Sequence, residues 1–78
     1  MKTYGDIYYV GIYHKDEEIT IYDWAVQGIG FGQLVVDNKT GEILDDEYMG
    51  EGFCNYILEY VREKGVDGSV RDWKRRIH

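Results

Sequence analysis

Carboxylates are the side chains in this sequence best placed to do chemistry. Asp37, Glu42, Asp45, Asp46, Glu47 and Glu51 fall within fifteen residues, with Lys39 the only counter-charge among them. Neighbouring carboxylates such as Asp45 and Asp46 can divide general acid and general base roles between them. Together with Glu47 they could also hold Mg²⁺ or Ca²⁺ through oxygen ligands, but their spacing is not that of a calcium loop. His14 lies in a charged run beside Asp16 and Glu17. A catalytic histidine needs a nucleophile and an orienting group converging on it, and the sequence suggests neither. Cys54 is the lone thiol; the apolar pattern around it makes it a small buried side chain at the edge of a helix face. Gly28-Ile29-Gly30-Phe31-Gly32 would cradle a phosphate only if it opened a helix. The residues that follow it, GQLVVD, have the character of a strand. No catalytic residue, no metal site and no cofactor is expected, and the chain reads as a binding protein and not as an enzyme.

A binding surface can be read from the same residues. Duplex DNA carries one negative charge per roughly 1.7 Å of its axis. Carboxylates on adjacent strands and turns can offer a comparable field to a basic groove. The acids at 37, 42, 45, 46, 47 and 51 are the candidates, with Tyr8, Tyr13 and Tyr22 from a chain that holds eight tyrosines. Tyrosine combines contact area, a polar tip and few rotatable bonds, which suits an interface. It also suits half-buried strand positions, and surface acids also serve solubility.

These residues need elements to hold them. DIYYVGIY at 6–13 is β-branched and aromatic, which predicts a strand with Ile7, Tyr9 and Tyr13 on one face and Tyr8, Val10 and Ile12 on the other. His14–Glu17 reads as a turn. EITIYDWAVQ at 18–27 predicts a second strand, with Ile19, Ile21 and Asp23 facing away from Thr20, Tyr22 and Trp24. In GIGFG the glycines share one strand face and Ile29 and Phe31 the other, so that the glycine face admits close packing of a helix or a bend of the sheet. QLVVD–NKTG–EILD predicts a hairpin, with Asn38 and Lys39 in a type I turn and Gly41 in the left-handed position that closes it with a bulge. Residues 50–64 predict a helix. Phe53, Tyr56, Ile57, Tyr60 and Val61 repeat at helical spacing, Cys54 and Leu58 widen the stripe, and Gly65 ends it. An earlier start capped by Asp45 or Asp46 is the alternative. Ser69-Val70-Arg71-Asp72 has the form of a capping box, and Val70, Trp73 and Ile77 then share one face of a short C-terminal helix.

Charge divides the chain in two. Residues 1–68 hold 14 acids against 5 Lys/Arg, and residues 69–78 hold 1 acid against 4. Balances of −9 and +3 give the net −6. The basic tail, as a short helix unstable by itself, is expected to dock on the acidic body through Trp73. Seventy-eight residues make one domain, 1–78, with a small core. A single cysteine excludes an internal disulfide, and its presence unpaired fits a reducing compartment. The N-terminus lacks a secretory h-region and no run is long and apolar enough to span a bilayer, so the expected location is the cytoplasm.

GIGFGQLVVDNKTGEILDDEYMGEGFCNYILEYV resembles a pattern of small acidic phage and mobile-element proteins. Gly28–Gly32, Asp37–Glu42, Glu47–Gly50 and Phe53–Val61 carry the likeness. The resemblance implies a phage or mobile-element origin; small acidic proteins of that origin often resemble anti-CRISPR and other anti-defence inhibitors, which act by binding, and it assigns no catalytic residues. The fold expected is α+β: an antiparallel meander of about four strands packed on one amphipathic helix, plus the short C-terminal helix. The function expected is that of a small acidic module that inhibits a nucleic-acid-binding defence protein by mimicking nucleic acid. Its partner would be a protein with a basic surface, with no direct binding to nucleic acid or membrane. The alternative is a homo-oligomeric accessory protein, a homodimer for example. A small-ligand-binding or enzymatic domain using the sheet face ranks third.

Overall fold

A computed structural model describes residues 4–67, and the C-terminal helix expected over 69–78 lies outside the described residues. Five elements follow in order: β1 (Ile7–Lys15), β2 (Ile19–Val26), β3 (Gly30–Asp37), β4 (Ile43–Asp45) and α1 (Glu51–Lys64). The strands pair antiparallel in the order β1-β2-β3-β4, the expected meander, with α1 on one face. This is the α+β class read from the sequence.

Strand alternation sorts the sheet into two faces. The inner face carries Thr20, Tyr22, Trp24 and Val26 of β2, paired across to Val36, Leu34, Gly32 and Gly30 of β3. Val10, Ile7, Trp24, Val26, Leu34 and Val36 form one buried cluster with Cys54 and Ile57 of the helix. Trp24 and Phe53 meet edge to face at 4.8 Å, a favourable aromatic geometry. Cys54 thus sits at the centre of the helix's buried face and not at its edge, because it and Ile57 are the two fully covered positions of α1.

Two bulges in β1 correct the expected facing of its residues. The register shifts between Ile7 and Tyr9 and again between Ile12 and His14, so Tyr8 and Tyr13 are extra residues, and both are exposed. A bulge resets the alternation. Ile7 and Val10 therefore both join the helix-side core, and Tyr9 is parted from Ile7. The first turn also starts later than expected: His14 and Lys15 belong to β1, and the chain reverses at Asp16–Glu18, where Asp16 N–H donates to Ile19 O at 3.0 Å.

The hairpin forms as read. Gly41, at φ 76°, donates to Asp37 O at 2.8 Å, and the Asp37 carboxylate accepts Lys39 N–H and Thr40 N–H. Asn38 does more than shape this turn. Its side chain accepts from Thr20 Oγ1 at 2.6 Å and donates to Asp16 O at 2.7 Å, so it fastens the β3–β4 turn to the β1–β2 turn. GIGFG divides: Gly28 and Ile29 form the β2–β3 turn, and only Gly30, Phe31 and Gly32 are strand. The helix starts at Glu51 with Gly50 as its cap residue, not at the earlier caps Asp45 or Asp46, whose carboxylates are engaged elsewhere.

Candidate functional site

The acids expected to form a surface converge on the β4 edge of the sheet. Asp45, Asp46, Glu47 and Tyr48 line one open cleft with Ile43 and Leu44. Glu42, Asp46 and Glu51 line a second with Gly41, Ile43 and Asn55. Asp46 belongs to both, so five of the six expected acids share one continuous surface. Asp37 lies apart, with its carboxylate closing the hairpin turn.

Most of these carboxylates hold backbone. Asp45 Oδ1 accepts Glu47 N–H at 3.0 Å. Asp46 Oδ1 accepts Tyr48 N–H at 2.9 Å, Asp46 Oδ2 accepts Gly50 N–H at 3.3 Å, and the Asp46 carbonyl accepts Met49 N–H at 3.0 Å. Glu47 reaches back to β3, where Oε1 accepts Gln33 N–H at 3.2 Å. Its other oxygen lies over Gly32, beside the Trp24 ring; a Cβ at position 32 would stand 2.6 Å from Glu47 Oε2 and 2.7 Å from Trp24 Cζ2. The close neighbours of the glycine face are thus the side chains of Trp24 and Glu47, at Gly32 alone, and not the helix expected there.

The bonds have one collective effect. Glu47 and Tyr48 occupy the left-handed region in succession, at φ 53° and 65°, the only non-glycine residues with positive φ among those described. That conformation costs a side-chain-bearing residue roughly 1–2 kcal/mol and persists where surrounding bonds over-determine it. Here it delivers Tyr48 fully exposed to solvent, beside half-exposed Leu44. The sequence reading missed Tyr48. Its one signal was the tract of side-chain acceptors, Asp45-Asp46-Glu47, immediately before a Tyr-Met-Gly step.

Glu42 and Glu51 differ from the other acids at this edge. Both are exposed, and no hydrogen bond or ion pair holds either carboxylate among the described residues. Among the expected tyrosines, Tyr8 and Tyr13 are exposed on β1, at the opposite edge of the sheet. Tyr22 is half-buried and packs against the core. The three do not form one surface with the acids.

His14 Nε2 lies 2.9 Å from Asp16 Oδ2, both exposed at the first turn. Asp16 also accepts Ile19 N–H and Glu18 N–H, each at 2.8 Å. The backbone bond from Ile19, the His14 bond and the Glu18 bond hold its carboxyl down to about 2. This arrangement caps a turn. Burial raises the Cys54 thiol, with the Asp46 charge adding to the shift, which disfavours the reactive thiolate. No group of three or more His, Cys, Asp or Glu is arranged to hold a metal ion among the described residues. No helix among them is long and apolar enough to cross a membrane.

A second constellation escaped the sequence reading. Tyr4 packs against Tyr56 and Tyr60 of the helix, 5.4 Å from each ring, tilted against the first and edge-on to the second. Each hydroxyl donates to a carboxylate: Tyr4 to Glu63 at 3.0 Å, Tyr56 to Asp6, and Tyr60 to Asp67 at 2.7 and 2.8 Å. The bond to Asp6 is the main cause that pushes the Tyr56 hydroxyl up to about 12. These partners lie up to 59 residues apart, so no local pattern announces them. Comparison with protein-family models, curated proteins and solved structures finds no match.

Proposed function

We propose that this chain is a protein-binding module whose contact surface is the acidic β4 edge, with Tyr48 at its centre and Glu42 and Glu51 on its rim. The observation that supports the reading is the loop at 45–50, which commits three carboxylates to holding two left-handed residues and leaves a tyrosine ring fully in solvent. Rigid exposed tyrosines at the middle of a contact surface are the residues that most often carry binding energy. The acids around it add a field of one sign. The partner that fits is a protein with a basic groove, such as a nucleic-acid-binding defence protein. The module would inhibit it by standing where the phosphate backbone stands. Electrostatic complementarity of this kind acts chiefly on association rate.

The test separates the ring from the charge. Tyr48→Ala and Glu42→Lys/Glu51→Lys leave every carboxylate that braces the loop in place. Immobilised wild-type protein is exposed to a bacterial lysate, and the proteins that duplex DNA releases are measured against each variant. Tyr48→Ala is expected to weaken binding by about 2 kcal/mol, roughly thirtyfold. The double reversal is expected to slow association and to abolish its salt dependence. Equal retention by all three proteins, or retention that DNA does not compete with, overturns the reading.

A further inference from the structure

The loop between β4 and α1 has one apolar foot in the core. From Leu44 to Gly52 every residue is exposed except Asp46 and Met49. Asp46 holds the loop through its carboxylate and its carbonyl. Met49 is half-buried and packs against the cluster that contains Trp24, Leu34 and Ile57. The residue before it, Tyr48, stands fully in solvent at φ 65°, and the residue after it, Gly50, turns at φ 91°. Left-handed residues persist where their surroundings over-determine them. Here those surroundings are three carboxylates and one thioether.

The thioether is the member of that set whose polarity can be changed by a small reagent. A hydroperoxide transfers one oxygen to the sulfur. The O–O bond breaks, an S=O bond forms and water or an alcohol leaves; the sulfur loses two electrons and the peroxide gains them. The product is a polar, chiral sulfoxide, which disrupts apolar packing. A half-buried position suits this chemistry. A fully buried sulfur would be shielded from the oxidant, and a fully exposed one would have no packing to lose. Cys54, the other sulfur among the described residues, is buried.

We propose that Met49 is an oxidation site through which a hydroperoxide loosens the loop at 45–50. The sulfoxide gives up its place against the core, and Glu47 and Tyr48 relax from the left-handed region once one of their braces is gone. A dithiol-dependent sulfoxide reductase resets the loop: the oxygen leaves as water while two thiols join in a disulfide. Tyr48 is held at the centre of the acidic edge only in the reduced state. The consequence for binding rests on that edge being the contact surface proposed above; the loosening of the loop does not.

The full chain is treated with hydrogen peroxide beside Met49→Leu, which keeps the apolar volume and cannot form a sulfoxide. Both proteins keep Met1 and Cys54, so oxidation elsewhere acts on both alike. Peptide mass spectrometry reads the added oxygen, and amide exchange by NMR reads the loop. In oxidised wild type the Tyr48, Met49 and Gly50 amides are expected to exchange roughly tenfold faster, as the local opening equilibrium shifts. The Trp24 and Leu34 amides are expected to keep their rates. Methionine sulfoxide reductase is expected to restore the loop, and treated Met49→Leu to match its untreated form. Met49 left intact while free methionine in the same solution is converted overturns the proposal. So does a sulfoxide that leaves the loop rates unchanged, or one that speeds Trp24 and Leu34 as much as the loop, which is global unfolding. Oxidised wild type is also expected to retain less of the lysate protein that duplex DNA releases, with treated Met49→Leu unaffected. A loosened loop that retains it undiminished overturns the contact surface and not the oxidation site.

Discussion

Gly32 shows how two neighbouring side chains can dictate one residue type. The Trp24 ring and the Glu47 carboxylate both lie where a Cβ would stand. Gly32→Ala is expected to destabilise the protein by about 1–3 kcal/mol, the usual effect of overpacking, and to loosen the loop that presents Tyr48. Urea unfolding measures the first, and the Tyr48 amide exchange rate the second. Asp16 makes a different prediction at the same scale. Its folded carboxyl titrates near 2, below the ordinary 3.8. Its stabilising contribution is complete above that ordinary value and is lost as pH falls from there toward 2. Asp16→Asn keeps an acceptor for the Glu18 and Ile19 amides but cannot titrate. The variant's stability is expected to fall less steeply with pH over that window, as followed by circular dichroism of acid titrations. Tyr56 gives the mirror case. A hydroxyl pushed from 10.0 to about 12 stabilises the fold below pH 10 and loses that contribution as pH climbs toward 12. Tyr56→Phe is expected to flatten this alkaline limb.

Elements were legible where their determinants are local. The β3–β4 hairpin could be read because Asp37 and Gly41, four residues apart, fix the turn between them. The helix could be read because its apolar stripe repeats at a helical period and Gly65 stops it. Ile57 sits on that stripe fully buried, so Ile57→Ala is expected to lose about 2–5 kcal/mol in denaturant unfolding. The bulges at Tyr8 and Tyr13 were not legible, since an extra residue in a strand leaves no trace in composition; only the partner strand defines it. The acids were found by their density, but their division of labour was not. Whether Glu47 braces Gln33 or faces solvent depends on β3, fourteen residues back. Tyr48, and the meeting of Tyr4 with Tyr56 and Tyr60 of the helix stripe, fell outside the reading for the same reason: their geometry is set by contacts across the fold.

On the whole-molecule scale, the two edges of the sheet differ in character. β4 is short and bordered by acids, which discourages strand-to-strand association. β1 is met along its outer edge by Asp67. Negative charge gathers at β4. Self-repulsion among excess charges destabilises a compact state, and salt relieves it by shortening the screening length from about 30 Å at 0.01 M to about 3 Å at 1 M. Deleting residues 68–78 takes the net charge from −6 to −9. It also removes the apolar side chains of Val70, Trp73 and Ile77. The truncated chain is therefore expected to melt at a lower temperature than the full chain in low salt. Its melting temperature should then climb more steeply as salt is added. The two effects are separable, because salt screens the charge but does not replace the apolar side chains. A full-length variant with Arg71, Lys74, Arg75 and Arg76 all changed to Gln keeps Trp73, and should show the steep salt slope with a smaller loss at high salt. Parallel salt slopes for all three proteins would mean that the tail's charges lie beyond the reach of the body, and the charge map drawn from the fold would be wrong.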